Sequence, residues 1–191
     1  MREAEMGVML DLETMGNGAD AAIVAIGAVK FSRDRVYTDS ANTFYATVDL
    51  QSSIDAGGVV DGETVYWWLQ QSYEARKSLL SAERASITLA VTSFAEWFPR
   101  GSTLWGNGCD FDNPILQSAF RQVYGIGVDY PWKYNAGRDM RTLKALANTY
   151  LGDAAPDQRA YGVKHNALDD AISQAQYVVA CYSAFHTLVR V

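Results

Sequence analysis

Cysteine, proline and histidine are all scarce in this 191-residue sequence, and so are long apolar runs. The two cysteines, Cys109 and Cys181, are far apart and match no metal-site spacing. They read as free thiols in a reducing compartment, and the expected setting is cytoplasmic. Four prolines give little punctuation for a domain boundary, and one domain across residues 1–191 is the expectation. No run approaches the roughly 20 apolar residues that span a bilayer. Arg2, Glu3 and Glu5 at the start do not resemble a signal peptide. Basic residues are outnumbered, 16 against 22, for a formal net charge of −6. That excludes a broad cationic clamp for nucleic acid, unless acidic residues gather where bound cations would reverse the local sign.

What is present is a soluble, globular composition, 49% hydrophobic and 20% charged. Apolar runs at Gly7–Glu13 and Ile23–Phe31 and a looser alternation over Asn42–Leu50 predict strands. Gly16-Asn17-Gly18 predicts a turn between the first two. The period then changes. Asp61 is placed to cap a helix from Gly62, with Val65, Trp68, Leu69 and Ser72 on one face. Further helices are expected over Ser86–Phe98, Asn113–Tyr124, Asp139–Leu151 and Asn166–Leu188, with a short buried strand at Ser102–Trp105. The last helix carries an apolar stripe of Leu168, Ile172, Ala175, Val179, Tyr182 and Phe185. Strands first, then alternating helix and strand, make an α/β layered domain with a mixed sheet.

Three acidic clusters stand out. In the first strand Val8, Leu10 and Leu12 share one face, so Asp11 and Glu13 share the other with Met9. Two dry, unpaired carboxylates there would cost several kcal/mol, so either a cation faces them or the strand end is solvated. The second cluster runs from Trp105 to Asp112, where Asp110 or Asp112 either caps the following helix or serves a site. The third is His165-Asn166-Ala167-Leu168-Asp169-Asp170-Ala171. Its acids suit a helix start through the helix dipole alone, but Asp170 lies off the apolar stripe. Together the clusters supply four oxygen ligands and one base, a set that suits Mg²⁺ or Mn²⁺. A structural Ca²⁺ site is the rival for these acids, but it leaves His165 without a task.

These residues resemble the motifs of the DEDDh 3′-5′ exonucleases, a branch of the ribonuclease H-like superfamily. Asp11-Leu12-Glu13-Thr14-Met15-Gly16 is similar to the first motif, D-x-E-T-x-G. Asn107 to Phe111-Asp112 is similar to the second, and His165 to Ala171 to the third, H-x-A-x-x-D-A. Together with Tyr66-Trp67-Trp68-Leu69-Gln70-Gln71, the wording is similar to phage and bacterial exonuclease VIII-like and exoribonuclease-like domains. Two departures sit in the second motif: Gly106 stands where many members carry His, and the Asn107–Asp112 spacing is one residue longer than the commonest form.

The resemblance implies a ribonuclease H-like domain, a central mixed five-stranded sheet flanked by helices. It implies two Mg²⁺ or Mn²⁺ ions on Asp11, Glu13, Asp112 and Asp170, with His165 as general base. The implied substrate is a nucleic-acid 3′ end, DNA or RNA, met by Thr14, Met15, Asn107, Phe111 and Trp67, and a homodimer is compatible with it. Trp68, on the Val65 face, is expected in the core. Arg138, Arg141 and Lys164 are expected on ordinary solvated surface. A catalytically silent binding domain on the same fold and a phosphodiesterase for short oligonucleotides are the rival functions.

Overall fold

A computed structural model describes residues 6–80 and 82–189. The charged residues at positions 2, 3 and 5, read above against a signal peptide, lie outside that range. Strand β1 (Gly7–Thr14) is the hub of a five-stranded sheet. It pairs antiparallel with β2 (Ile23–Phe31), which pairs antiparallel with β3 (Thr43–Thr47). On its other side it pairs parallel with β4 (Thr103–Gly106), and β4 with β5 (Gly137–Asp139), giving the order β3-β2-β1-β4-β5. This is the central mixed five-stranded sheet flanked by helices that the resemblance implied.

Alternation along β1 feeds two cores. Val8, Leu10 and Leu12 face α4 (Ile87–Trp97) and α5 (Asp112–Tyr124), in a cluster anchored by Phe94 and Phe120. Met9 faces α6 (Met140–Leu151) and α7 (Ala167–Val189), against Ala171, Val178 and Cys181. Each large side chain buried here contributes roughly 1.5–3 kcal/mol. Asp11 and Glu13 therefore project to the α7 side, beyond the end of that second core. Among the described residues no helix is long and apolar enough to cross a membrane.

Two α-helices and one strand were not foreseen. Helices α1 (Leu50–Asp55) and α3 (Tyr73–Leu79) are too short for a periodic stripe and rest on caps, Asp49 accepting from Ser52 N–H and Ser72 from Ala75 N–H. Strand β5 is Gly-Arg-Asp, with no apolar residue to signal it. Helix α2 (Gly62–Leu69) begins at its Asp61 cap as expected. Its inward face is corrected, however: Trp68 is buried, Leu69 is 63% exposed and Ser72 caps α3.

The buried face of α7 is also rotated from the expected stripe, running through Ala167, Ala171, Gln174, Val178 and Cys181, with Ile172 and Ala175 beside it. The reason is a close crossing. A methyl group on Gly27 of β2 would lie 2.1 Å from the Ala167 carbonyl carbon. Small residues let the helix start rest directly on the strand, so alanines rather than the larger apolar residues point straight inward. Gly27 pairs in register with Asp11, so this crossing brings the head of α7 over the β1 carboxylates.

Candidate active site

At the end of β1 the pairing with β2 shifts register, Glu13 opposing Ala25 and Thr14 opposing Ile23. This bulge leaves Val24 as the extra residue and bends the strand end. Thr14 is buried, its hydroxyl donating to Gly16 O at 2.7 Å, while Trp68 Nε1 donates to Thr14 O at 2.9 Å. Trp68 thus ties α2 to β1, a core role with a polar handle. Beside these residues opens a cleft of about 690 Å³, floored by Asp11, Glu13, Asp112 and Asp170.

Pairing of β1 with β4 stops at Met9. Past that point Leu12 N–H is free of the ladder and donates to Asp112 Oδ1 at 3.1 Å, while Asn107 N–H donates to Asp112 Oδ2 at 3.2 Å. Asp112 is 2% exposed, and it does not cap α5: Phe111 holds the cap position without a side-chain bond. The competing Asp110 is exposed and outside the cleft lining. Gly106 stays glycine-compatible for a local reason: a methyl group there would sit 3.3 Å from both Asp112 Oδ2 and Asn113 Oδ1.

The head of α7 is built by Asn166, whose Oδ1 accepts from Leu168 and Asp169 N–H at 3.1 and 3.2 Å. His165, just before this cap, has φ of 65°, the one positive value at a non-glycine among the described residues. Strain of this kind concentrates at functional sites. It turns His165 N–H onto Asp170 Oδ2 at 2.8 Å. The imidazole lies edge-on to Trp67, ring centres 4.9 Å apart. Glu13, His165 and Asp170 each offer a ligand-capable atom within 4.8 Å of the others.

Four carboxyl groups in one dry place resist ionisation. Burial, then Asp170 and Asp112, push Glu13 up to about 8. Burial brings Asp112 to about 6 against the pull of its backbone N–H bonds. Asp11 is raised well above the carboxylate range by burial and by Asp112, Glu13 and Asp170. Gln174, donating to Asp11 Oδ1 at 2.7 Å, opposes that shift. Asp170 is raised by burial. Burial and Lys164 hold His165 below its ordinary value, so the ring is neutral near pH 7. Glu13 Oε1 is buried without a hydrogen-bond partner. Crowded carboxyl groups held back from ionising, with an orphaned oxygen among them, are the arrangement that divalent cations relieve, and the donor set fits Mg²⁺ or Mn²⁺.

Of the expected substrate contacts, Thr14, Asn107, Phe111 and Trp67 line the cleft, Trp67 being 41% exposed. Met15 does not. It faces a separate apolar cavity with Val24, Val48 and Leu69, behind Trp68, because the bulge turns the chain at this point. Arg141 and Lys164, expected on plain surface, line the cleft, and Arg141 Nε reaches Asn107 Oδ1 at 3.4 Å. Arg138 is outside the cleft. Asn17, Glu63, Thr64 and Gln174 line it unforeseen. For Gln174 the signal was its place one turn after Asp170.

The family described as the 3′-5′ exoribonuclease Rv2179c-like domain matches residues 6–182. The exodeoxyribonuclease of Enterobacteria phage T4 is 27% identical over 161 residues, covering 72% of this chain and 70% of that protein. The fold is similar to E. coli exonuclease I in complex with a dT13 oligonucleotide, with TM-score 0.64, 13% identity and 97% of this chain covered. It is similar as well to the zinc-bound E. coli ExoI–ssDNA complex, with TM-score 0.61, 15% identity and 98% covered. The chain spans 43% of either exonuclease I chain.

Proposed function

Since this chain belongs to the 3′-5′ exoribonuclease Rv2179c-like domain family, we propose that it is a divalent-metal-dependent 3′-5′ exonuclease. Membership makes it a nuclease, a hydrolase of phosphodiester bonds. Our reading adds the substrate form, single-stranded or 3′-overhanging nucleic acid, and the product, nucleoside 5′-monophosphates. The observation that carries it is the meeting of Asp11, Glu13, Asp112 and Asp170 on one cleft floor, with Glu13 Oε1 lacking any partner.

Asp11, Glu13, Asp112 and Asp170 would hold two Mg²⁺ or Mn²⁺ ions, which when bound supply Lewis acidity toward an attacking water and a leaving oxygen. His165 serves as general base. Its ring is neutral near pH 7, lines the cleft and is aimed by the left-handed turn at its own α-carbon. Trp67, 41% exposed beside that ring, and Phe111 offer aromatic surface to a nucleobase. Arg141 and Lys164 provide the positive charge for phosphates that the chain as a whole lacks.

The family description names RNA, while the phage relative's name points to DNA. The test is digestion of 5′-labelled single-stranded DNA and RNA of matched sequence with Mg²⁺, Mn²⁺ or EDTA. Metal-dependent ladders growing from the 3′ end are expected, abolished in Glu13→Gln, and the faster polymer names the substrate. Intact oligomers of both kinds under both metals would sink the proposal.

A further inference from the structure

Gln174 sits one helical turn beyond Asp170 on α7, so both side chains leave the helix on the same face, toward β1. It is 4% exposed, yet it lines the cleft. Its Nε2 donates to Asp11 Oδ1 at 2.7 Å, across 163 positions of sequence, and its Oε1 is buried with no partner in the protein. A half-satisfied buried amide is destabilising. A methionine of nearly the same length would fill this apolar stretch of α7, between Ala171 and Val178, without that cost. Packing therefore does not account for the residue.

We infer that Gln174 is a positioning residue for the metal site: its amide fixes the Asp11 carboxylate by occupying Oδ1, which leaves Oδ2 as the oxygen that would meet a cation. Asp112 is oriented by two backbone N–H groups and Asp170 by one. For Asp11 the hydrogen bond from Gln174 takes that part. Outer-shell partners of this kind are worth about 10–100-fold in metal affinity.

The inference rests on the proposed metal-dependent reading, and its test is read without substrate. Mn²⁺ affinity is measured by titration calorimetry on the whole chain, wild type against Gln174→Met, beside the melting temperature in EDTA. The expected result is an unchanged or higher melting temperature for the variant and Mn²⁺ binding weakened about 10–100-fold. Should Gln174→Met not fold, Gln174→Asn keeps a polar amide but is too short to reach Asp11, and the same weakening is expected. Mn²⁺ affinity within twofold of wild type in the folded variant would overturn the inference, leaving Gln174 a structural residue. Wild type that binds Mn²⁺ and cleaves neither polymer would overturn the exonuclease reading and leave the Gln174 result standing. Wild type that takes up no Mn²⁺ would overturn both.

Discussion

At the scale of single residues, His165 and Glu13 make separable predictions. Replacing His165 with Ala removes the base without unstacking the core, since the ring is only partly enclosed. Turnover should fall about 10²–10⁴-fold at an unchanged melting temperature, and the acidic limb of the wild-type pH–rate profile should vanish. Because burial and Lys164 lower the His165 pKa, that limb belongs below pH ~6.5; a limb above it would reject His165 as base. Trp67→Ala should act on binding, raising KM about tenfold or more while kcat changes less; the reverse split would make Trp67 a prop for His165 alone.

Glu13 titrates at about 8 when folded and near 4.5 as a free side chain. Below 4.5 both states are protonated and no cost arises. As pH rises from there to 8 the unfolded chain ionises first, so stability is lost through that window. In EDTA the melting temperature should drop roughly 5–10 °C between pH 5 and pH 8.5, from a cost on the order of a few kcal/mol. Glu13→Gln should flatten much of that slope, and saturating Mg²⁺ or Mn²⁺ should reverse it.

At the scale of elements, the crossing of α7 over β2 governs where the base and the last carboxylate stand. Gly27→Ala would put a methyl group 2.1 Å from backbone at Ala167. A backbone neighbour cannot rotate away, so the helix head must lift. We expect destabilisation of about 1–3 kcal/mol or more and a loss of activity larger than the stability change explains, measured by denaturant melts beside single-turnover rates. Full activity in a stable Gly27→Ala protein would show that the head of α7 has slack. The sequence carried α7 well because its 23 residues are long enough for an apolar stripe to recur over many turns. It misplaced the inward face because the clash that sets it lies between residues 140 positions apart. The cap at Asp61 was legible as local chemistry, whereas Ser86 and Asp139, read as first residues of their helices, prove to be the caps before them. The bulge at Glu13 and Thr14 was not legible, and with it went Met15.

At the scale of the whole molecule, an acidic chain with two cationic side chains in its cleft should bind nucleic acid with a shallow salt response. About two phosphate contacts on a single strand imply a slope near −1.4 in log affinity against log salt; a much steeper slope would point to a basic surface beyond the cleft. The five motif residues were readable because their types and order are chemically unusual. Part of their support was not: Asn107 N–H and Leu12 N–H act through backbone atoms that any sequence supplies. The carboxylates come from β1, the head of α5 and the head of α7, nearly the full span of the chain. A partly unfolded protein that has released any one of these elements holds no complete site. Cation uptake should therefore report the native state as an all-or-none signal, with heat inactivation and global melting coinciding, and with no proteolytic fragment ending before residue 170 retaining either.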